Sequence, residues 1–362
     1  MEDVVRPSAA FWSGKRVLVL GHTGFKGAWL ALWLHSLGAE VSGLSLPPAE
    51  PSLFVAAGLK AFVDGHHTDI REFKSVVEII EKVQPEIIFH LAAQSLVRLS
   101  YREPVETYAT NVMGTVHVLA AADAVESVRS VIVVTSDKCY ENRDWLWAYR
   151  EDEPMGGHDP YSSSKGCAEL VTAAWRKSFC GPAKRQLGIA SARAGNVIGG
   201  GDWAADRVIP DCIRALHSGQ AIGIRNPAST RPWQHVLDPL CGYLILAERL
   251  ASDPQSYGQG WNFGPLDEDA RPVGWIADRV VAAWGEGARW QKVGGDELHE
   301  AGSLKIDASK ARARLGWAPA LRLETGIDWT INWYRDFLNG QSALKLTEQQ
   351  IGRYSRLGVS AQ

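Results

Sequence analysis

Tyr161 and Lys165 stand four residues apart in Tyr161-Ser162-Ser163-Ser164-Lys165, a stretch that reads as the start of a helix. On a helix that spacing puts both side chains on one face, a turn apart. An ammonium beside a phenol favours phenolate, so the pair could act as a base near neutral pH. The same spacing also arises with no chemical role. A second stretch runs Val131-Ile132-Val133-Val134-Thr135-Ser136-Asp137-Lys138-Cys139-Tyr140. Its apolar, β-branched first half suits a central strand of a parallel sheet covered on both faces. Its second half brings a hydroxyl (Ser136), a carboxylate (Asp137) and an ammonium (Lys138) to the carboxyl end of that strand, where ligands bind in open α/β sheets. A strand followed by an ordinary polar loop would look the same.

These groups need a frame, and the chain alternates buried strands with helical patterns, which predicts an α/β fold with a Rossmann-like, doubly wound parallel sheet. Arg16 to Leu20 reads as a buried strand ending in Gly21-His22-Thr23-Gly24-Phe25-Lys26-Gly27, with a helix at once behind it and Gly38 as its stop. Glycines at such a turn let the backbone approach a pyrophosphate held at the helix start. The spacing is Gly-x-x-Gly-x-x-Gly, and a tight strand-to-helix turn is the alternative reading. The second strand, Glu40 to Leu46, closes on Ser45, Leu46, Pro47 and Pro48, with no acid for a ribose diol and no arginine for a 2′-phosphate. Lys26, near the phosphates by spacing, is the residue that could favour NADP, and NAD is preferred.

A short strand is expected around Ala61 to Val63, then His66 and His67 in a loop, then a helix from Ile70 to Val83 capped by Asp69. The histidines have no further ligand set nearby, so no metal site is read. A strand from Glu86 to Leu91 ends in Ala92-Ala93-Gln94, small residues that let a cofactor lie close. Pro104 opens a helix that carries Asn111, Gly114 and Thr115. Beyond a strand from Gly188 to Arg193 the pattern loosens into glycine-rich loops with a helix (Val208 to Leu216), Arg225 and Arg231-Pro232-Trp233-Gln234-His235. Arginine and tryptophan there suit a sugar nucleotide, a fork for phosphate and a flat face for sugar or base. Further helices are expected over Val236 to Ala251, Val273 to Ala283, Ser309 to Leu315 and Thr325 to Leu338, with the last residues frayed.

At 362 residues, 46% hydrophobic and 22% charged, the chain is ordinary globular material, and its net charge of −3 argues against nucleic-acid or membrane partners. No apolar run is long enough to span a bilayer, and the start, with Glu2 and Asp3, lacks a signal-type apolar core. The five cysteines (Cys139, Cys167, Cys180, Cys212, Cys241) show no close pairing or metal spacing, so free thiols and a cytoplasmic setting are expected. Fifteen tryptophans are scattered and read as core or interface anchors.

Taken together, the glycine turn, Asp69-Ile70, His90-Leu91-Ala92-Ala93-Gln94, Asn111-Val112-Met113-Gly114-Thr115, Tyr161 with Lys165, and Arg193-Ala194-Gly195-Asn196-Val197 resemble the extended short-chain dehydrogenases/reductases that act on nucleotide sugars. The resemblance covers nearly the whole chain. Within that family the glycine turn and Thr135 to Asn142 are similar to members acting on CDP-glucose; related dTDP-glucose enzymes carry Thr-Asp-Glu where this chain has Ser136-Asp137-Lys138. The resemblance implies NAD held by Gly21, Thr23, Gly24, Phe25, Lys26, Gly27, Asp69, Ile70, Leu91, Ala92, Ala93, Gln94, Asn111, Tyr161 and Lys165. It implies substrate contacts from Gln94, Ser136, Asn196, Arg207, Arg231 and His235.

It also implies a redox cycle with no net oxidation. Tyr161 would take the C4 hydroxyl proton, with Lys165 lowering its pKa and Ser136 bonding the C4 oxygen. Lys138 or a neighbour would take the C5 proton, and a protonated Asp137 would release the C6 hydroxyl as water. Two lobes are expected, residues 1–192 with 235–262 for the dinucleotide and 193–234 with 263–362 for the nucleotide sugar. So is a homodimer, or a homotetramer, joined through the helices that bear Asn111 and Tyr161. A nucleotide-sugar 4-epimerase and a non-catalytic dinucleotide sensor are the alternatives; the first needs no acid for C6, the second neither Tyr161 nor Lys165.

Overall fold

The computed structural model describes residues 5–181, 185–285, 287–294 and 302–357. Glu2, Asp3 and the last residues expected to fray lie outside them. Strands β1 (Arg16–Leu20), β2 (Glu40–Ser45), β3 (Asp64–His67), β4 (Ile87–His90), β5 (Ser130–Val134) and β6 (Gly188–Ala194) join the late strand Gly260–Phe263 in one seven-stranded sheet, all parallel. From one edge the order is Gly260–Phe263, β6, β5, β4, β1, β2, β3. The chain order reverses between β1 and β4, and such a switch point opens a crevice at the strand ends.

Alternation explains the apolar runs. Val17 and Val19 of β1, with Ile132 and Val134 of β5, enter one core; Leu18 and Leu20, with Val131 and Val133, enter another across the sheet. The second core is closed by helices Phe73–Val83 and Gly114–Ala124. The first is closed by helices Phe25–Ser36 and Leu237–Ser252, and also by Leu323–Leu338 and Ala343–Ser355.

That last packing joins the two ends of the chain. Tyr354 meets Trp33 edge-on at 5.6 Å, and Trp333 lies against Gly200, where a Cβ would fall 2.1 Å from its ring. The C-terminal helices therefore share a core with the first helix of the dinucleotide sheet. Three short strands, Asn196–Ile198, Thr230–His235 and Ala270–Pro272, and a pair, Ile222–Ile224 with Trp290–Lys292, build the roof over the strand ends. Among the described residues no helix is long and apolar enough to cross a membrane.

Local readings shift in three places. The third strand is Asp64–His67, not Ala61 to Val63: it is a polar edge strand that needs only backbone pairing with β2, and it carries both histidines. The helix expected from Ile70 begins at Phe73, because Asp69 accepts from Arg71 N (2.9 Å) and pairs with the Arg71 guanidinium instead of capping it. The helix begun at Pro104 reaches Ala124 through a π-helical turn at Ala109–Met113, which places Asn111 inward.

Candidate active site

The glycine turn works by close approach. Gly21 sits at φ +86 with Ala92 N only 2.8 Å from where a Cβ would be, and a Cβ on Gly27 would lie 2.0 Å from Gly21 O. Gly24 is the N-cap of the Phe25–Ser36 helix and offers no side chain to the first N–H groups. Those donors and the positive end of a 12-residue helix therefore suit a diphosphate, and the turn fits a dinucleotide. At the end of β2, Thr23 Oγ1 bonds Ser45 Oγ (2.6 Å) and donates to Leu46 O (3.1 Å), so hydroxyls stand in the region where a ribose-binding acid was sought.

A cleft of about 520 Å³ lies over the strand ends. It brings together Phe25, Lys26, Leu91, Ala93, Ser136, Asp137, Lys138, Tyr161, Lys165, Asn196, Arg207 and Arg231. Ser136 is its hub: it hydrogen-bonds with Tyr161, donates to Asp137 Oδ1 at 2.8 Å and accepts from Lys138 N at 3.2 Å. The other Asp137 oxygen, Oδ2, is buried with no partner among the described residues. A buried carboxyl oxygen left without a bond is unfavourable unless something else meets it.

Several cations share the cleft. Burial pushes Lys26 down to about 7, helped by the charges of Lys165 and Arg207, while Asp137 and Asp202 pull it back. Lys26 thus faces the reacting end, and its charge is no argument for NADP. Burial likewise lowers Lys165 to about 8, and its Nζ reaches Val134 O at 3.4 Å. Tyr161 moves the opposite way to expectation. Burial pushes the phenol up to about 12, while its bond with Ser136 and the Arg207 charge pull it back. The i, i+4 geometry holds, but desolvation of a phenolate outweighs it.

The remaining expected residues build the walls from behind. Gln94 spends its amide on Leu96 and Thr107, and Asn111 clamps the Gln94 backbone (Nδ2 to O, 2.9 Å) to Ser164 Oγ at 2.8 Å. Ile70 packs where a Gly114 side chain would clash at 2.5 Å. His235 does not line the cleft. It lies in the core between Trp29 (6.0 Å) and Trp329 (5.8 Å), and burial lowers it to about 3, because its strand turns that side chain toward the C-terminal helices.

Two groups were missed by the sequence reading. Asp202 pairs with Arg207 at 3.0 Å, and Asp206, at φ 59, lies 3.5 Å from Arg225. The glycine run Gly199-Gly200-Gly201 before Asp202 was the available signal. The second is His22, whose ring slots over β2 and β3 because Gly43 and Gly65 have no Cβ. Burial, then His67, lowers it to about 4. Among the described residues no group of three or more His, Cys, Asp or Glu could hold a metal.

A parallel sheet with its switch point under a Ser-Asp-Lys and Tyr-Lys cleft defines a class, and comparison agrees: the chain belongs to the NAD dependent epimerase/dehydratase family, whose model matches residues 17–262. Within that class it is similar to the CDP-glucose 4,6-dehydratase of Salmonella typhimurium strain LT2, 52% identical over 348 residues, covering 95% of this chain and 97% of the relative. Solved structures agree on the fold. A dTDP-glucose 4,6-dehydratase from Streptomyces venezuelae with NAD bound superposes with a TM-score of 0.75 at 23% identity, covering 91% of this chain and 99% of that one. The UDP-glucose 4-epimerase of Thermotoga maritima gives 0.77 at 22%, covering 89% and 99%.

Proposed function

We propose that the protein converts CDP-glucose to CDP-4-keto-6-deoxyglucose. The observation that carries this reading is that Asp137, its Oδ2 buried and without a partner among the described residues, shares one cleft with the adjoining Ser136 and Tyr161 hydroxyls. A carboxyl held that way suits the donor that a departing hydroxyl needs and that a 4-epimerase does not. The 52% identity to a CDP-glucose 4,6-dehydratase supports the substrate.

NAD, when bound through the glycine turn, supplies the hydride acceptor and donor. The chain's own residues do the rest. Tyr161 accepts the C4 hydroxyl proton as phenolate, the form that the Ser136 bond and the Arg207 charge favour. Ser136 then holds the C4 oxygen as it becomes a carbonyl, which acidifies C5. Lys138, at the cleft wall, takes the C5 proton, and Asp137 gives its proton to the C6 oxygen, which leaves as water. Arg207 and Arg231 suit the diphosphate of the substrate, as guanidinium forks. We also assign residues 1–192 with 235–262 to the dinucleotide lobe and 193–234 with 263–362 to the sugar-nucleotide lobe.

Purified protein incubated with CDP-, dTDP-, UDP- and GDP-linked hexoses tests the reading. A 4-keto-6-deoxy product from CDP-glucose, with label from C4-deuterated substrate recovered at C6, is expected. A 4-epimer, or no product with any of the panel, overturns it.

A further inference from the structure

Tyr161, Lys165 and Glu169 recur at every fourth residue along the Pro160–Phe179 helix, and the third of them lies behind the cleft. Glu169 is buried, and both its oxygens are fully engaged. Oε1 accepts from Thr135 Oγ1 (2.5 Å) and Arg193 Nε (2.9 Å); Oε2 accepts from Ser191 Oγ (2.6 Å) and Arg193 Nη2 (2.8 Å). The sheet makes room for this pair: a Cβ on Gly260 would lie 2.5 Å from Arg193 Nη2. Arg193 Nη1 donates onward to Tyr140 OH (2.7 Å), Tyr140 donates to Asn262 Oδ1 (2.7 Å), and Asn262 Nδ2 reaches Tyr149 O and Asp307 O. One bonded path thus runs from the residue before Ser136 to the chain segment that closes the far side of the cleft.

Apolar side chains would join these elements without the desolvation that two buried ions suffer. The charge itself must therefore matter to a neighbour, and the neighbour one turn back is Lys165. We propose that Glu169, clasped by Arg193, is a positioning residue for the C4 oxidation: it fixes Thr135, and through it Ser136, and it holds Lys165 as an ammonium. The proposal rests on the dehydratase reading above. Burial alone draws Lys165 down, and the charge that restores it is first of all that of Glu169. The other groups that face Lys165 are Lys26 from the first helix and His90 from β4, the latter held neutral by burial. Glu169 itself is faced by Arg193 from β6 and by Arg176 from its own helix.

Removing the carboxylate leaves burial unopposed, so Lys165 gives up its proton at lower pH. Glu169→Gln alone strands the Arg193 charge, so the paired variant Glu169→Gln/Arg193→Met, which removes both, is measured beside it, with folding followed by circular dichroism. Two pH profiles are read: NAD affinity by titration calorimetry, and the first-turnover rise of reduced cofactor with a nucleotide hexose. In the paired variant the alkaline limb of both should move down by about one pH unit, the scale of shift that a nearby opposite charge produces. kcat should fall by about ten-fold or more while KM for the sugar nucleotide stays within about two-fold, since Glu169 does not touch the cleft. Thr135→Val loosens Ser136 but keeps the charge pair, so it should lower kcat and leave both limbs in place. Alkaline limbs of the folded paired variant that coincide with the parent's overturn the proposal, as does an equal shift in Thr135→Val. If the parent oxidises no nucleotide hexose, the dehydratase reading fails by itself, and the NAD-affinity limb still decides the role of Glu169.

Discussion

At the scale of residues, Asp137 and Lys138 sit side by side in the chain, and the proposed elimination gives them opposite roles. A general acid or base contributes roughly 10²- to 10⁴-fold to rate, well above the effect of local repacking. Lys138→Ala should still allow cofactor reduction at C4 but stop exchange of the C5 proton with solvent, as followed by NMR in deuterium oxide. Asp137→Asn should reduce the cofactor and exchange some C5 proton, yet release no 6-deoxy product. Turnover of Lys138→Ala within a few-fold of the parent, with C5 exchange intact, would assign the base to another group. Arg231→Lys should weaken CDP-glucose binding and spare NAD, because a lysine cannot reproduce a guanidinium's two parallel bonds; equal loss of both ligands would mean a folding role. The placement of Asp137 and Lys138 was legible because they follow the end of a buried strand, Ser130–Val134. The effect of burial was not. The Tyr161 shift to about 12 and the seat of His235 between two tryptophans depend on what packs around a side chain, which spacing does not carry.

At the scale of elements, the turn at Gly21–Gly27 and the helix Leu237–Ser252 show how position and charge constrain a segment. Gly27→Ala would drive a methyl into the Gly21 carbonyl, 2.0 Å away, so it should abolish NAD binding in calorimetry even where the fold survives. In the second element Asp238 is wholly buried, with Oδ1 accepting from Ala320 N (2.7 Å) and Tyr354 OH (2.8 Å). Burial raises it from 3.8 to about 7, with Arg6 pulling weakly the other way. A carboxyl that binds its proton more tightly when folded stabilises the protein at acid pH, and that stability drains away as pH climbs from about 4 to about 7, at up to about 1.4 kcal/mol per unit. Melting temperature should therefore drop across that window for the parent and drop less for Asp238→Asn; identical slopes would refute it. Elements with strong periodicity, such as β1, β5 and the helix at Tyr161, were readable from pattern. β3 and the helix Ala343–Ser355 were not, the first because an edge strand needs no apolar run, the second because part of its apolar face packs on Trp33, far earlier in the chain.

At the scale of the molecule, two surfaces matter: the core shared by both ends of the chain, and the faces of the Pro104–Ala124 and Pro160–Phe179 helices. The latter expose Val105, Met113, Leu170 and Phe179, apolar groups that a second copy would cover. Light scattering should show at least a dimer, and Leu170→Glu should dissociate it; a parent that stays monomeric at micromolar concentration refutes the assembly. The shared core has its own test. Trp333→Ala should cost about 3–5 kcal/mol and destabilise the dinucleotide sheet and the roof in one transition, since Trp333 packs on Gly200 and its helix continues the core of Trp29 and Trp33. Two separate calorimetric peaks would contradict it. Of the fifteen tryptophans, Trp147 alone is exposed, tilted against Trp145 at 5.0 Å in a loop whose Asn142 and Asp144 border the cleft. The protein therefore carries its own optical probe: an aqueous quencher such as iodide should extinguish a small, red-shifted part of its emission, and a nucleotide sugar seated in the cleft should change that fraction while the blue, buried majority stays constant.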